Sequence, residues 1–244
     1  MNIALIGFGK VSYNLVKLIK SPDINFTTST EDRSKNTVDL INKSDVSVYD
    51  SFSQAIEDAD IIISANSPSQ AIETAEKYGN SDAIYLDLNN ISPKTVTEIN
   101  NLVGNFVDGA IIGKIDSHNP ILYLSGSHAK ELLFLNEFLD VKIISDRVGD
   151  ASTLKLLRST YTKSLSVLLI ESYDLAKSFN LEDEFFDAVS LTEGDDFKQK
   201  SLSRINNTLK SSKRKSEELE EILQYFDGNE LKMVKTALDK LKQF

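Results

Sequence analysis

The 244-residue chain contains no cysteine, which removes disulfides, thiolate nucleophiles and cysteine-ligated metals from consideration. Its two histidines, His118 and His128, do not pair in any ligand-like spacing, so no metal signature is present. Positive charge is scarce: 27 basic against 37 acidic residues leave a formal net charge of −10. A protein that meets nucleic-acid phosphates normally carries a basic stripe. The one dense basic cluster here, KSSKRK at 210–215, is followed at once by EELEE, which cancels its field nearby. No nucleic acid is expected as a partner. No apolar run reaches membrane-spanning length, and the N-terminal one ends in Gly-Phe-Gly without a small-residue cleavage pattern. The expectation is a cytoplasmic protein with no membrane partner.

What is present begins at the first residue. The apolar run Ile3–Ile6 leads directly into Gly7-Phe8-Gly9 and then into a helix-like stretch from Val11 to Ile19. Gly7 suits a tight turn, and Gly9 lets backbone approach a pyrophosphate at the helix N-terminus, beside Lys10 and Val11. Ser12 takes the third small-residue slot, where glycine or alanine is usual. Strand, glycines and helix in register point to dinucleotide binding; the alternative is an open α/β domain whose first turn merely needs glycine.

Isoleucine- and valine-rich runs recur at 2–6, 46–49, 60–64, 83–86, 106–112, 121–124 and 141–144, with a more polar strand at 25–30. Helix-like stretches lie between them at 10–20, 34–43, 53–59, 69–78, 93–102 and 128–139. This alternation predicts a mostly parallel sheet covered on both faces, with a mixed edge after Gly104. Beyond Val148 the pattern turns wholly helical. Residues 151–179 form one long run without glycine or proline, and shorter helical segments follow, near 182–190, 195–209, 213–226 and 230–243. The expected architecture is a Rossmann-like domain over 1–148 and an all-helical domain over 149–244, joined by a long interdomain helix capped by Asp150 or Ser152.

In such a sheet, ligands lie across the carboxyl ends of the strands. After the second strand come Asp32, Arg33 and Ser34. An acid there favours the ribose hydroxyls of NAD, whereas an arginine with a hydroxyl favours the 2′-phosphate of NADP; the competing reading is a solvated loop with a capping serine. After the next buried strand come Asn66 and Pro68, at the cofactor crevice, and then Asp87, Asn89 and Ser92, where amide side chains suit a nicotinamide carboxamide or a substrate hydroxyl. Ser92-Pro93 and Pro68 also read as ordinary helix openings. On the long helix, Lys155, Arg158, Ser159, Thr162, Lys163 and Ser166 share a polar strip. A partly desolvated Lys155 beside Arg158 would have its pKa lowered into a range useful for exchanging a hydroxyl proton. Alternatively, Lys155 and Lys163 snorkel to solvent.

The order GxGxxS, Asp32-Arg33-Ser34, DLNNISP at 87–93 and GDASTLK at 149–155 resembles the β-hydroxyacid dehydrogenase family and its 6-phosphogluconate dehydrogenase-like relatives. The resemblance covers residues 1–180 well. It implies an oxidoreductase with NADP as cofactor (NAD remaining an option), and a small hydroxy acid or its keto form as the small-molecule substrate. Lys155 matches the catalytic lysine, and Ser159 falls on the catalytic segment after it. Asp32-Arg33-Ser34 matches the 2′-phosphate reader. Ser92 and Asn89 match the nicotinamide-side loop, and the stretch from Gly109 to Gly113 takes the place of the substrate-binding turn. Two departures stand out. Arg158 and Ser159 replace asparagine or histidine-asparagine after the lysine, and Ala110-Ile111-Ile112 replaces a hydroxyl-bearing turn, so a sugar-acid phosphate is not the expected substrate. His118 is a candidate donor on the loop that follows.

Imine reduction on the same scaffold, and a non-catalytic NAD(P)-binding regulator or scaffold, are the competing functions. A homodimer is expected, with Leu219, Ile222, Leu223 and Phe226 forming one apolar stripe and Leu231, Val234, Leu238 and Leu241 another. The alternative is that both stripes close the local bundle.

Overall fold

The computed structural model describes residues 1–113, 115–116 and 120–244; His118, with Lys114, Ser117 and Asn119, lies outside them. Strands β1 (Asn2–Ile6), β2 (Asn25–Ser29), β3 (Ser47–Tyr49), β4 (Ile61–Ser64), β5 (Ile84–Asp87), β6 (Phe106–Ile112), β7 (Ile121–Ser125) and β8 (Asp140–Ser145) form one sheet in the order β3-β2-β1-β4-β5-β6-β7-β8. Neighbours from β3 through to β6 pair in parallel, β7 runs antiparallel to β6, and β8 is parallel to β7. The expected mixed edge is present.

Period-two alternation sends the strand residues to opposite faces. Ile3, Leu5, Ile61, Ile63, Leu86 and Val107 belong to one buried cluster, and Ala4, Ile6, Ile62, Tyr85 and Phe106 to the other. Helices α1 (Lys10–Leu18), α2 (Lys35–Ile41), α3 (Phe52–Ile56), α4 (Ala71–Tyr78) and α5 (Pro93–Asn100) alternate with the strands. Strand order reverses at β1, with β2 on one side and β4 on the other. That is the position where the loops after β1 and β4 diverge to leave a ligand crevice.

The stretch expected to be a helix at 128–139 is instead a 3₁₀ segment, Ala129–Glu137. The reason is the spacing of its apolar residues. Ala129, Leu132 and Leu135 recur every third residue, and all three are buried in the first cluster. A three-residue turn places them in one line, which a 3.6-residue turn does not.

The chain resolves into two compact units, Met1–Lys155 and Leu156–Phe244, and the 29-residue helix α6 (Asp150–Ser178) runs from one into the other. An N-terminal Rossmann-like domain is thus followed by a helical one joined through α6. The second unit adds α7 (Glu182–Glu193), α8 (Phe197–Lys210), α9 (Ser212–Tyr225) and α10 (Lys232–Leu241). Gly194 and Gly228, at φ +97° and +92°, mark two of its breaks. The two apolar stripes assigned to dimer contact pack instead against each other. Leu219, Ile222, Val234, Leu238 and Leu241 form a single buried cluster with Val167, and Leu223, Phe226 and Leu231 border it. Among the described residues, no helix is long and apolar enough to cross a membrane.

Candidate functional site

The loop after β1 is built by its glycines. Gly7 has φ +91°, and a Cβ there would come within 2.4 Å of Asn66 Oδ1 and 2.5 Å of the Ala65 carbonyl oxygen. The β1 and β4 loops therefore touch through Gly7, and no other residue fits. Gly9 differs: a Cβ there would meet nothing within 4 Å. It is the N-cap of α1, with no side chain capping the helix and no acidic residue in its first turn. Open space in front of uncapped N–H groups is what an anion needs. Ser12 is buried and donates its hydroxyl to the Gly7 carbonyl at 2.6 Å, bracing the turn from below. Lys10 pairs with Asp116 at 2.9 Å, both largely exposed, and Val11 packs against the first apolar cluster.

After β2 the chain turns through Asp32, which has φ +53°. Glu31 accepts the Phe52 N–H at 3.1 Å, and the Arg33 guanidinium lies over the Phe52 ring, 4.7 Å from its centroid. Arg33 Nε is enclosed without a hydrogen-bond partner. Ser34 caps α2 by accepting the Thr37 N–H at 3.3 Å. Glu31, Asp32, Arg33, Phe52, Asn66 and Lys77 are among the residues lining a pocket of about 140 Å³. The capping serine of the solvated-loop reading is real, but it accompanies an arginine held over a ring beside a pocket.

The ends of β4, β5 and β6 carry a buried polar network. Asn89 donates its backbone N–H to Asp87 Oδ1 at 2.9 Å and its amide to Asp87 Oδ2 at 2.7 Å and to Ser64 Oγ at 2.9 Å. Its Oδ1 accepts the Asn66 N–H at 2.5 Å. Asn66 in turn donates to Thr74 at 3.0 Å, leaving its own Oδ1 enclosed without a partner. Asn89 thus ties the ends of β4 and β5 together. Pro68 opens a 3₁₀ turn, Pro68–Gln70, and Ser92 caps α5 by accepting the Thr95 N–H at 3.2 Å.

Asp87 and Asp108 face each other across β5 and β6 in register, and each is 1% exposed. Asp108 accepts Ser125 Oγ at 3.1 Å, Ser152 N at 3.0 Å and Ser152 Oγ at 2.6 Å, while Ala151 N donates to Ser125 Oγ at 3.0 Å. The first turn of α6 is therefore capped by side chains of β6 and β7. Neither expected cap serves in that way. Gly149, at φ +93°, precedes the helix, and Asp150 pairs with Arg147 and Ser145. Burial pushes Asp87 up to about 7, against the opposing pull of Asn89's two donors; the Asp108 charge adds to the rise and the Lys155 charge reduces it. Asp108 is also raised by burial, against the opposing pull of the hydrogen bonds from Ser152 and Ser125.

Lys155 lies three residues beyond Ser152, on the same helix face, and its charge is felt at Asp87. The polar strip does not continue as one surface. Lys163 neither lines a site with Lys155 nor snorkels to solvent. It is buried and paired with Glu218 at 2.7 Å inside the helical unit. Arg158 is exposed and Ser159 half-buried. Gly109 does not belong to a turn but sits inside β6, where a Cβ would come 2.5 Å from Leu88 Cδ2 and 2.8 Å from Leu86 Cδ1. The turn begins only at Gly113, φ +105°. Asp108, absent from the expected site, was written in the sequence as the polar residue of FVDG at the end of an apolar run. Its partners, however, are at sequence separations no local pattern reveals. Among the described residues, no cluster of three metal-ligating side chains exists.

The fold and the glycine loop define a Rossmann-like α/β domain followed by a helical one, an architecture similar to that of solved 3-hydroxyacid dehydrogenase-like proteins. A solved conserved protein of unknown function, described as structurally similar to 3-hydroxyacid dehydrogenases, superposes with a TM-score of 0.85 at 31% identity, covering all of this chain and 97% of that one. The 3-hydroxyisobutyrate dehydrogenase of Mycobacterium tuberculosis, solved with L-serine, shares the fold at a TM-score of 0.82 and 16% identity, over 100% and 93% of the chains. No protein-family model matches the sequence. An uncharacterised 28.5 kDa protein from the 7S RNA 5′ region of Methanothermus fervidus is 36% identical over 99% of this chain and 98% of its own. The chain belongs to the family of that protein.

Proposed function

We propose that the protein is an NADP-dependent oxidoreductase that moves a hydride between nicotinamide and a small hydroxy acid or its keto form, with Lys155 as general acid/base. The observation that carries this reading is the placement of Lys155. The Asp108–Ser152 bonds fix the helix face that bears it beside the Asp87–Asn89 network at the strand ends.

The residues present fit the cofactor. Backbone N–H groups of Lys10, Val11 and Ser12 would hold the pyrophosphate across the open space at Gly9, and Arg33, with its unpartnered Nε, would hold the 2′-phosphate. Asn66, which lines the pocket with Arg33, carries an enclosed Oδ1 without a partner, a spare acceptor on the cofactor side. When bound, the cofactor supplies or accepts the hydride. This chain's part is proton management. Lys155 takes the hydroxyl proton as the alcohol becomes a ketone and returns it in the reverse direction. Ser92, at the N-terminus of α5, is the hydroxyl suited to orienting the substrate.

The test is a panel of small hydroxy acids assayed with NADP and NAD, on wild type, Lys155→Met and Arg33→Ala. Lys155→Met keeps length and helix propensity, and its turnover is expected to drop roughly 10²–10⁴-fold with NADPH affinity unchanged. Arg33→Ala is expected to weaken NADPH binding by about 10–100-fold, the worth of one charge-assisted hydrogen bond, and to leave NADH binding unaltered. Wild-type turnover by Lys155→Met, or turnover of cyclic imines but no hydroxy acid, would refute the proposed chemistry.

A further inference from the structure

Aspartate followed by glycine is the aspartyl pair most prone to close on itself. The glycine amide nitrogen attacks the side-chain carboxyl carbon, and only a residue without a Cβ leaves that nitrogen unshielded. The sequence holds two such pairs, Asp108-Gly109 and Asp227-Gly228, and no Asn-Gly pair. The fold treats them in opposite ways. Asp108-Gly109 lies inside β6, paired with β5 on one side and β7 on the other. Asp108 is 1% exposed, its carboxylate holds Ser125 and Ser152, and a Cβ on Gly109 would meet Leu88 and Leu86 at 2.5 and 2.8 Å. Ring closure there requires the strand to leave the sheet. Asp227-Gly228 lies in the turn between α9 and α10, where both residues are exposed. Gly228 has φ +92°, and a Cβ on it would meet nothing within 4 Å, which leaves room for a planar five-membered ring. The Asp227 carboxylate is already folded over the nitrogen concerned: its Oδ1 accepts the Gly228 N–H at 3.1 Å.

We propose that Asp227-Gly228 is a site of spontaneous covalent modification, converting to isoaspartate through a succinimide, while the sheet holds Asp108-Gly109 inert. The carboxyl group takes a proton from solvent. Gly228 N then bonds to Asp227 Cγ, and one carboxyl oxygen leaves as water with the amide proton. A second water opens the ring. Attack at the former side-chain carbonyl restores aspartate, and attack at the main-chain carbonyl leaves isoaspartate. Each step needs only water. The product routes the backbone through the former side chain, so the main chain gains one methylene and the α-carboxylate becomes the substituent. This turn is poorly built to absorb the extra length. The Asn229 N–H and side-chain amide both donate to the Phe226 carbonyl, at 3.0 and 3.2 Å, and the Leu231 N–H donates to the Asn229 carbonyl at 3.0 Å. Phe226 and Leu231 both border the buried cluster that joins α9 to α10. A methylene inserted between them shifts the α10 stripe against α9, so the modification loosens this helix hairpin.

The experiment is to hold the full chain for several weeks in warm, neutral buffer made with H₂¹⁸O, and then to map it with trypsin in ordinary water. Cleavage after lysine gives residues 95–114 around Asp108 and 216–232 around Asp227. Ring opening by the heavy water leaves one ¹⁸O at the aspartyl site in either direction, and electron-transfer fragmentation separates isoaspartate from aspartate. The expected result is ¹⁸O and isoaspartate accumulating in 216–232 while 95–114 stays unlabelled. In urea above the unfolding transition, 95–114 should become labelled as well. Asp227→Glu keeps the charge but would have to close a six-membered ring, so its label should be lost. Hydrogen exchange of α10 should be faster in aged than in fresh wild type, and unchanged by ageing in Asp227→Glu. A folded chain that leaves 216–232 unlabelled, while the same peptide free in solution converts, overturns the proposal. Equal labelling of the two pairs without urea overturns the protection assigned to the sheet, and unaltered α10 exchange in a converted sample overturns the loosening of the hairpin.

Discussion

Two glycines a residue apart do different things, and substitution separates them. Gly7→Ala introduces a Cβ within 2.5 Å of backbone at a positive φ, so it is expected to cost about 1–3 kcal/mol or more in urea denaturation. Gly9→Ala meets open space, so its denaturation midpoint should match wild type while NADPH affinity, read by fluorescence titration, falls at least tenfold. Equal losses of stability in the two variants would contradict this division. Asp87 makes a pH prediction of its own. Its folded pKa is raised above its unfolded value of 3.8 to about 7. The folded state therefore binds the proton more tightly, and the stability this confers is full below 3.8 and is lost as pH rises through 7. Unfolding free energy should decline across that window by an amount on the order of 4 kcal/mol, and the decline should be much shallower in Asp87→Asn. A flat wild-type profile between pH 4 and 7 would contradict the raised value.

At the level of elements, local pattern was a good guide wherever the determining residues were neighbours in sequence. The strand from Asn2 to Ile6, the Gly7–Gly9 turn and helix α1 follow from alternation and from the glycine spacing alone. The unbroken run at 151–179 likewise became α6, Asp150–Ser178. Pattern was insufficient where long-range partners decide. The capping of α6 by Asp108 and Ser125 spans separations of 44 and 26 residues, and the burial of Lys163 depends on Glu218, which belongs to α9. The stretch at 128–139 had helical composition, but its apolar period of three was the deciding signal. That period can be tested directly. Leu132→Ala is expected to cost about 2–5 kcal/mol and Leu133→Ala, 47% exposed, under about 0.5 kcal/mol in chemical denaturation. Similar costs for both would argue for an α-helical turn in solution.

For the whole molecule, the stripes on α9 and α10 are used up within the helical unit and are not available for a dimer contact. Leu157, Tyr161, Leu168 and Leu175 are each more than half exposed and follow one another along α6 at helical spacing. Tyr161 and Leu168 also line an apolar groove of about 530 Å³ with Phe185 and Phe197. We propose that a second copy of the same helix covers this stripe in a two-fold pairing. Sedimentation equilibrium is expected to give a dimer, and Leu168→Glu with Leu175→Glu a 27.2 kDa monomer. A wild-type chain that sediments as a monomer at all concentrations would refute the pairing.

The capping of α6 from the sheet decides where this polypeptide can be divided. By composition the α/β half ends at Val148, ahead of Gly149. A fragment stopped there would retain Asp108 and Ser125 in the interior but lose the N–H and hydroxyl groups of Ala151 and Ser152 that satisfy them. A buried carboxylate that keeps only its Ser125 donor loses about 1–3 kcal/mol or more, a large share of the stability of a modest domain. The smallest piece able to stand alone therefore extends through the first turn of the helix, to Lys155. The half that would bind nucleotide thus carries Lys155, to which the proposed reaction gives the proton, as its last residue, so any rearrangement of the gene that keeps the sheet folded keeps that lysine with it.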